Sequence, residues 1–188
     1  FQESEQRLLG ILDNAPMAIY LKDLRGHYHQ INRNLAAILN MKEEDILGKT
    51  DHDLFPMETA GKLVDSDRKV LESRTSLECE EVFLLPGGPC VYLTSKFLLY
   101  DCTGKPYAIC GISVDITGRK RAEAIASRFM RIVDNSFDEI YIFDSVALRF
   151  THVSAGAREN LGYTMEELAR LTPLDLKPEY SAEKFEAI

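Results

Sequence analysis

The segment Asp51-His52-Asp53 has residue types that suggest metal binding, because carboxylate and imidazole groups are common metal ligands. Three adjacent residues in a helical turn point in different directions, however, so this spacing is poor for joint coordination. We therefore interpret Asp51 as a helix cap, with Leu54 and Phe55 in the hydrophobic core.

The remaining reactive residues give no sign of catalysis. The sequence has no nucleophile elbow, phosphate-binding loop, zinc signature or phosphoacceptor box, so we expect no enzymatic activity in this segment. Four cysteines lie within 32 residues without CxxC or Cys/His spacing: Cys79, Cys90, Cys102 and Cys110. This pattern favours free thiols in a reducing cytosol over a disulfide or a metal site.

An internal repeat organises the elements that position these residues. At an offset of 121, RLLGILDNAPMAIYLKD (residues 7–23) aligns with RFMRIVDNSFDEIYIFD (residues 128–144), with seven of 17 positions identical. The match continues weakly at an offset of 122, as far as Pro56 and Pro178. The second copy has only 61 residues counted from Arg128, so we expect it to lack the later strands of the first.

Hydrophobic periodicity and turn signals predict the elements of the first copy. A helix leads into two short strands joined by a turn at residues 23–26, helices follow, and the longest of these extends from Pro56 to about Ser73. Three strands then follow over residues 76–85, 90–100 and 107–116, and turn sequences separate them. Hairpin connections indicate an α+β domain with one five-stranded antiparallel sheet and helices on one face.

Three stretches of this sequence resemble the PAS sensory domain: LDNAPMAIYLKDLRGHYHQINRNLAAILNMKEEDILGKTDHDLFP, LLYDCTGKPYAICGISVDIT and GRKRAEA. The resemblance covers nearly all of residues 8–124, and the second copy resembles the N-terminal half of another PAS unit. It implies a sensor module in which the sheet and helices enclose a small cavity and flanking helices carry the response. Fold resemblance alone does not supply a ligand or an output.

Alternation along the central strand places Tyr92, Thr94 and Lys96 on one face. The resemblance implies that this face, with Val82 and Ser113 from neighbouring strands, looks into the cavity. One interpretation is that these residues orient a small polar or anionic ligand, because a buried ammonium needs a counter-charge. The alternative is that Lys96 extends to solvent and side chains fill the cavity.

Cofactor signals are weak. A light-sensing flavin domain of this family would need a cysteine in the segment matching residues 48–56, and a haem-binding one commonly has a histidine on the long helix; neither is present. His27, His29 and His52 are lone histidines of the kind usually found at surfaces. Flavin and haem are therefore disfavoured, although non-covalent flavin stays open.

The end of the first copy predicts a route for signal relay. Asp115, Ile116 and Thr117 lead into a helix, where Asp115 and Thr117 can hold free helix amides and so couple the helix to the sheet. Apolar residues of that helix recur at the spacing of a parallel two-helix seam: Ala122, Ile125, Phe129 and Ile132. The seam predicts a homodimer; the alternative is that the stripe packs on its own domain.

The distribution of charge along the sequence also marks the helix that follows the first copy. The net charge of -8 disfavours binding to nucleic acid or to an anionic membrane, yet residues 119–132 carry five basic groups and one acidic group. We expect a flanking helix (1–14), a complete PAS domain (15–117), a linker helix (118–135) and a truncated second PAS domain (136–188).

We expect the chain to be a cytoplasmic sensory piece of a larger protein, which could itself be anchored in a membrane. The expected output is a covalently linked histidine kinase, with a cyclic-di-GMP enzyme or a transcription regulator as alternatives. A dedicated flavin or haem sensor and a ligand-free interaction scaffold are the competing functions.

Overall fold

The computed structural model describes residues 2–85 and 87–176. The chain divides into two compact units, Phe1–Lys120 and Arg121–Ile188. None of the helices in the described ranges is both long and apolar enough to cross a membrane.

The first unit has the predicted α+β architecture. Its helices are α1 (Gln2–Asn14), α2 (Arg33–Leu39), α3 (Glu43–Ile46), α4 (Asp51–Leu54) and α5 (Met57–Ser73). Its strands are β1 (Ala18–Asp23), β2 (Tyr28–Ile31), β3 (Leu77–Leu85), β4 (Gly88–Tyr100) and β5 (Pro106–Asp115). The strands form one antiparallel sheet in the order β2-β1-β5-β4-β3, so the first and last strands of the unit are neighbours at its centre.

The long strands alternate between two faces, as the period of two requires. In β4 the buried positions are Tyr92, Thr94, Lys96 and Leu98. Across β5 the same face continues through Ile109 and Ser113, and α5 packs on it through Leu63 and Val70, which are both buried. This inner face therefore holds the core and any site the core encloses.

Local sequence explains how the short helices begin. The Asn32 side chain caps α2 by accepting from the Leu35 backbone N–H at 3.1 Å, and it also accepts from the Ile19 N–H at 3.0 Å. Thr50 and Asp53 form a capping box at α4. The prediction that Asp51 is the cap is wrong, because Thr50 takes that role and Asp51 is buried in the first helical turn.

Helix α6 (Thr117–Asp134) follows β5, and the division between the two units falls within it. The second unit continues with β6 (Tyr141–Phe143), β7 (Phe150–Val153), α7 (Ala155–Leu161), α8 (Met165–Leu168) and α9 (Pro173–Leu176). Its core contains Phe150, Val153, Ala157 and Leu168.

The described part of the second unit repeats the local design of the first. A strand pair is followed by helices of seven, four and four residues, as in β1 to α4. Ser154 accepts from the Ile140 N–H at 3.1 Å, as Asn32 does from Ile19, and Thr172 with Asp175 matches Thr50 with Asp53. These are likenesses of local geometry between the two units, and Pro178 and the predicted domain end at 188 lie outside the described residues.

Candidate functional site

A cavity of about 30 Å³ lies in the first unit between the sheet and its helices. Aromatic rings make up much of its lining: Tyr20, Tyr28, Phe55, Phe83 and Tyr92. Among the lining residues that the structure describes, Glu81 is the one ionisable residue other than the tyrosines, and Ser113 adds a hydroxyl group. The volume is enough for one or two water molecules.

Two fully buried lysines lie beside this cavity on the inner face of the sheet. Lys22 of β1 donates to Asp51 at 2.5 Å and to Asp67 at 2.8 Å. Lys96 of β4 donates to the other oxygen of Asp67 at 2.8 Å and lies 3.2 Å from Glu81. Because an unpaired buried ammonium would be very costly, these carboxylates are what allow both lysines to stay inside.

Neutral groups complete this buried ion network, which we define as Lys22, Asp51, Asp67, Glu81 and Lys96. The Ser66 hydroxyl accepts from Lys96 at 2.6 Å, and Tyr28 donates its hydroxyl hydrogen to Asp51 at 2.8 Å. Thr94 donates to Glu81 at 2.7 Å. The network therefore joins β1, β3, β4, α4 and α5 through hydrogen-bonded charges.

Electrostatics in this network shift several pKa values. Burial on its own would lower the pKa of Lys96, but the Asp67 and Glu81 carboxylates outweigh it and raise the pKa above its ordinary value. Burial raises the pKa of Tyr20 and Tyr28 well above the usual value, and the surrounding carboxylates add to this effect. The lysine stays charged and both phenols stay neutral near pH 7.

The predicted ligand-contacting residues separate into three groups. Tyr92 and Ser113 line the cavity, whereas Thr94 and Lys96 are buried in the hydrogen-bonded network next to it. Val82 is 60% exposed on the outer face of the sheet, so its predicted place in the cavity is wrong. Val82 pairs with the outward-facing Val91, while its neighbour Glu81 pairs with Tyr92 and points inward.

Lys96 lies in neither of the two environments predicted from the sequence, which were contact with an anionic ligand and extension to solvent. Its ammonium does not extend to solvent, and Asp67 and Glu81 supply the counter-charge that an anionic ligand was expected to supply. The buried Lys96 therefore gives no reason to expect an anionic ligand. Lys22, Asp67 and Glu81 were not predicted from the sequence. The available signal was a lysine at an inward strand position opposite an aspartate on the apolar face of α5.

The cavity does not fit a large cofactor. Pockets for ligands the size of flavin or haem usually measure several hundred Å³, about ten times this volume. Within the ranges that the structure describes, no three His, Cys, Asp or Glu side chains are grouped to hold a metal ion. All four cysteines are free.

The predicted relay residues lie where β5 passes into α6. The Ile116 N–H donates to the Val91 carbonyl oxygen at 2.9 Å, and the Val91 N–H donates to the Thr117 hydroxyl at 2.8 Å. Asp115 accepts from the Thr117 N–H at 2.8 Å. The start of α6 is therefore fastened to β4 at the residue next to Tyr92. Further along, Ala122 is exposed, as are Ile125, Phe129 and Ile132, at 70%, 55% and 62%.

A family model described as the PAS fold matches residues 12–121, which is more than half of the chain. The chain belongs to the PAS family. The match covers the sheet, the cavity and the start of α6, and a PAS domain is not itself catalytic.

Several signalling proteins are similar to this PAS chain. It is 30% identical over 119 residues to the methanogenesis regulatory histidine kinase FilI of Methanothrix harundinacea, covering 63% of this chain and 13% of FilI. It is 29% identical over 110 residues to a diguanylate cyclase of Vibrio cholerae, covering 57% and 34%. It is 25% identical over 131 residues to the aerobic respiration control sensor ArcB of Escherichia coli, covering 69% and 17%. The chain thus spans only 13% to 34% of these relatives.

Solved structures agree with the PAS fold. The PAS domain of a Colwellia psychrerythraea protein superposes with a TM-score of 0.53 at 19% identity, over 62% of this chain and 98% of that one. VqmA bound to DPO gives a TM-score of 0.54 at 22% identity, over 58% and 57%. At these identities the likeness extends to the fold alone.

Proposed function

We propose that this chain is a sensory and dimerisation segment of a larger signalling protein. The first unit senses a small ligand or a partner, and α6 relays a conformational change to a C-terminal output domain. One observation carries this proposal: Val91 and Tyr92 are adjacent residues of β4. Val91 is hydrogen-bonded to the start of α6, and Tyr92 lines the cavity.

The adjacency of Val91 and Tyr92 supports a mechanical link between the cavity and α6. A ligand that displaces Tyr92 pulls on the neighbouring residue Val91, whose backbone N–H and carbonyl groups hold Thr117 and Ile116. Lys120, in the first turn of α6, also pairs with Glu80 of β3 at 2.6 Å. Movement of β3 and β4 is therefore transmitted to the helix as a change in how its first turn is held.

The exposed stripe of α6 supports association with a second copy of the chain. Ile125 and Phe129 lie one helical turn apart, and an apolar stripe at this spacing suits a parallel two-helix seam. Sedimentation equilibrium of Phe129→Glu should give the monomer mass where the parent chain dimerises. Ser127→Glu adds the same charge to a different face of α6 and should leave the dimer intact; equal masses for both variants would contradict the seam.

The output domain is proposed to be a histidine kinase. Histidine kinases and sensor proteins recur among the relatives, with a diguanylate cyclase as the second type of output. In this arrangement residues 15–117 form the sensing PAS domain, 118–135 the linker and 136–188 the beginning of a second PAS domain.

Thr117→Val tests the relay, because valine keeps the shape of threonine and removes the hydroxyl that accepts from Val91. In hydrogen–deuterium exchange of the 188-residue chain, we expect faster exchange at the Val91 amide and in the first turn of α6. In the intact parent protein the same variant should uncouple output activity from the stimulus. Thr75→Val, at an exposed threonine after α5, is the control. Unchanged exchange and unchanged output in Thr117→Val would refute the relay.

A further inference from the structure

Two polar groups that line the cavity, the Ser113 hydroxyl and the Glu81 carboxylate, can only accept further hydrogen bonds. Thr94 donates its hydroxyl hydrogen to Glu81 at 2.7 Å, so its contact with Ser113 at 2.9 Å requires Ser113 to be the donor. Ser113 then has only lone pairs to offer, and the Glu81 carboxylate can only accept. Both groups therefore present acceptors to the cavity, and a ligand that bonds to them must bring donors.

The charges of the buried ion network favour the same kind of ligand, one that brings hydrogen-bond donors. Two ammonium groups, Lys22 and Lys96, face three carboxylates, Asp51, Asp67 and Glu81. With every group ionised, the network has a net charge of -1. Glu81 is the carboxylate that also lines the cavity, so the excess negative charge lies beside the space a ligand would enter.

Aromatic rings surround the same space. Lys22 already lies over Tyr20 and Tyr28, at 5.3 Å and 4.8 Å from the ring centroids. The other three rings form a connected group, in which Phe83 lies 5.6 Å from both Phe55 and Tyr92 between centroids. Aromatic faces attract cations, and aromatic rings around a carboxylate suit an organic ammonium group.

We propose that the ligand of this cavity is a small organic cation, namely an amine or methylated amine with few heavy atoms. Its ammonium group contacts Glu81 and Ser113, and its methyl groups lie against Phe55, Phe83 and Tyr92. The volume of about 30 Å³ suits an ammonium group with one methyl group, and a more highly methylated amine requires the lining side chains to move. This inference rests on the proposed sensory function and narrows it to one chemical class.

Isothermal titration calorimetry of the 188-residue chain at fixed ionic strength tests the class. The probes are methylammonium and trimethylammonium chloride, with tert-butanol as a neutral molecule of similar shape, sodium acetate as an anion, and potassium chloride as an inorganic cation. We expect saturable binding of at least one of the two ammonium compounds, and at least about tenfold weaker binding of the other three probes.

Glu81→Gln removes the charge while its amide oxygen can still accept from Thr94, and it should weaken ammonium binding at least about tenfold. Glu78→Gln, on the outward face of the same strand, makes the same charge change and should bind like the parent chain. If Glu81→Gln does not fold, judged by circular dichroism, Phe83→Leu removes one ring without changing charge and should also weaken binding.

Several results would contradict the proposed ligand class. Equal affinity for tert-butanol and trimethylammonium, tighter binding of acetate, or binding of potassium alone would overturn the organic-cation class. Absence of binding by both ammonium compounds would also overturn it. None of these results affects the relay, which the Thr117→Val measurements test without any ligand, so failure of the ligand class and failure of the sensory function remain distinguishable.

Discussion

Lys22 and Lys96 donate to the same carboxylate, because Asp67 accepts from Lys22 at Oδ2 and from Lys96 at Oδ1, both at 2.8 Å. The lysines lie on β1 and β4, which β5 separates, and Asp67 lies on α5. One aspartate thus fastens the longest helix of the first unit to two strands that do not touch each other.

Replacing this shared carboxylate should be severely destabilising. Asp67→Asn leaves each lysine with one carboxylate, so we expect a loss of about 3–5 kcal/mol in the free energy of unfolding. Urea unfolding followed by circular dichroism measures it. Asp65→Asn, which breaks an exposed pair with Arg68 on the same helix, should cost at most about 1 kcal/mol. Similar losses in the two variants would contradict the bridging role.

Stability should fall steeply at alkaline pH. The pKa of Lys96 is raised in the folded chain, so its contribution to stability is complete below its ordinary value of 10.5 and is lost as pH rises through the folded value. Tyr28 acts in the same direction, because the folded state keeps its phenol protonated above the ordinary value of 10.0.

Urea midpoints between pH 7 and pH 11 should therefore decline at the alkaline end. Tyr28→Phe should flatten that decline, because phenylalanine has no proton to lose in either state. A decline of the same steepness in Tyr28→Phe would show that other groups control it.

Gly111 should tolerate no side chain. A Cβ atom there would lie 2.1 Å from the ring carbon Cζ of Tyr20, its buried partner across β1 and β5. We expect Gly111→Ala to cost about 1–3 kcal/mol through overpacking. Gly61→Ala, in α5 with open space around the added atom, should stabilise the chain by up to about 1 kcal/mol. Chemical denaturation of both variants measures the contrast, and equal effects would refute the packing argument.

The cysteines should differ in reactivity. Burial raises the pKa of the Cys110 thiol to about 11, so very little thiolate forms at pH 8. Cys102 is exposed in the turn between β4 and β5. Mass spectrometry after timed iodoacetamide treatment should find Cys102 modified well before Cys110. Simultaneous modification would mean that β5 opens readily.

Local patterns were sufficient to predict the order of elements and the long helix α5, because periodicity and turn residues act over short distances. They failed at Val82, since β3 contains apolar residues on both faces and hydrophobicity cannot choose between Val82 and Phe83. Pairing with β4 makes that choice. Asp51 was misassigned for a similar reason: its sequence neighbours suit a cap, but its partner Lys22 lies 29 residues away.

The buried ion network also has a consequence for how the chain folds. A slip of one residue in the pairing of β4 would turn Lys96 outward and leave Asp67 and Glu81 facing Ser95 or Phe97, neither of which carries a charge. A misaligned sheet would thus carry uncompensated buried charge, in addition to the apolar side chains that any one-residue slip turns outward. The salt bridges that hold α5 in place therefore also disfavour misaligned pairing of β4.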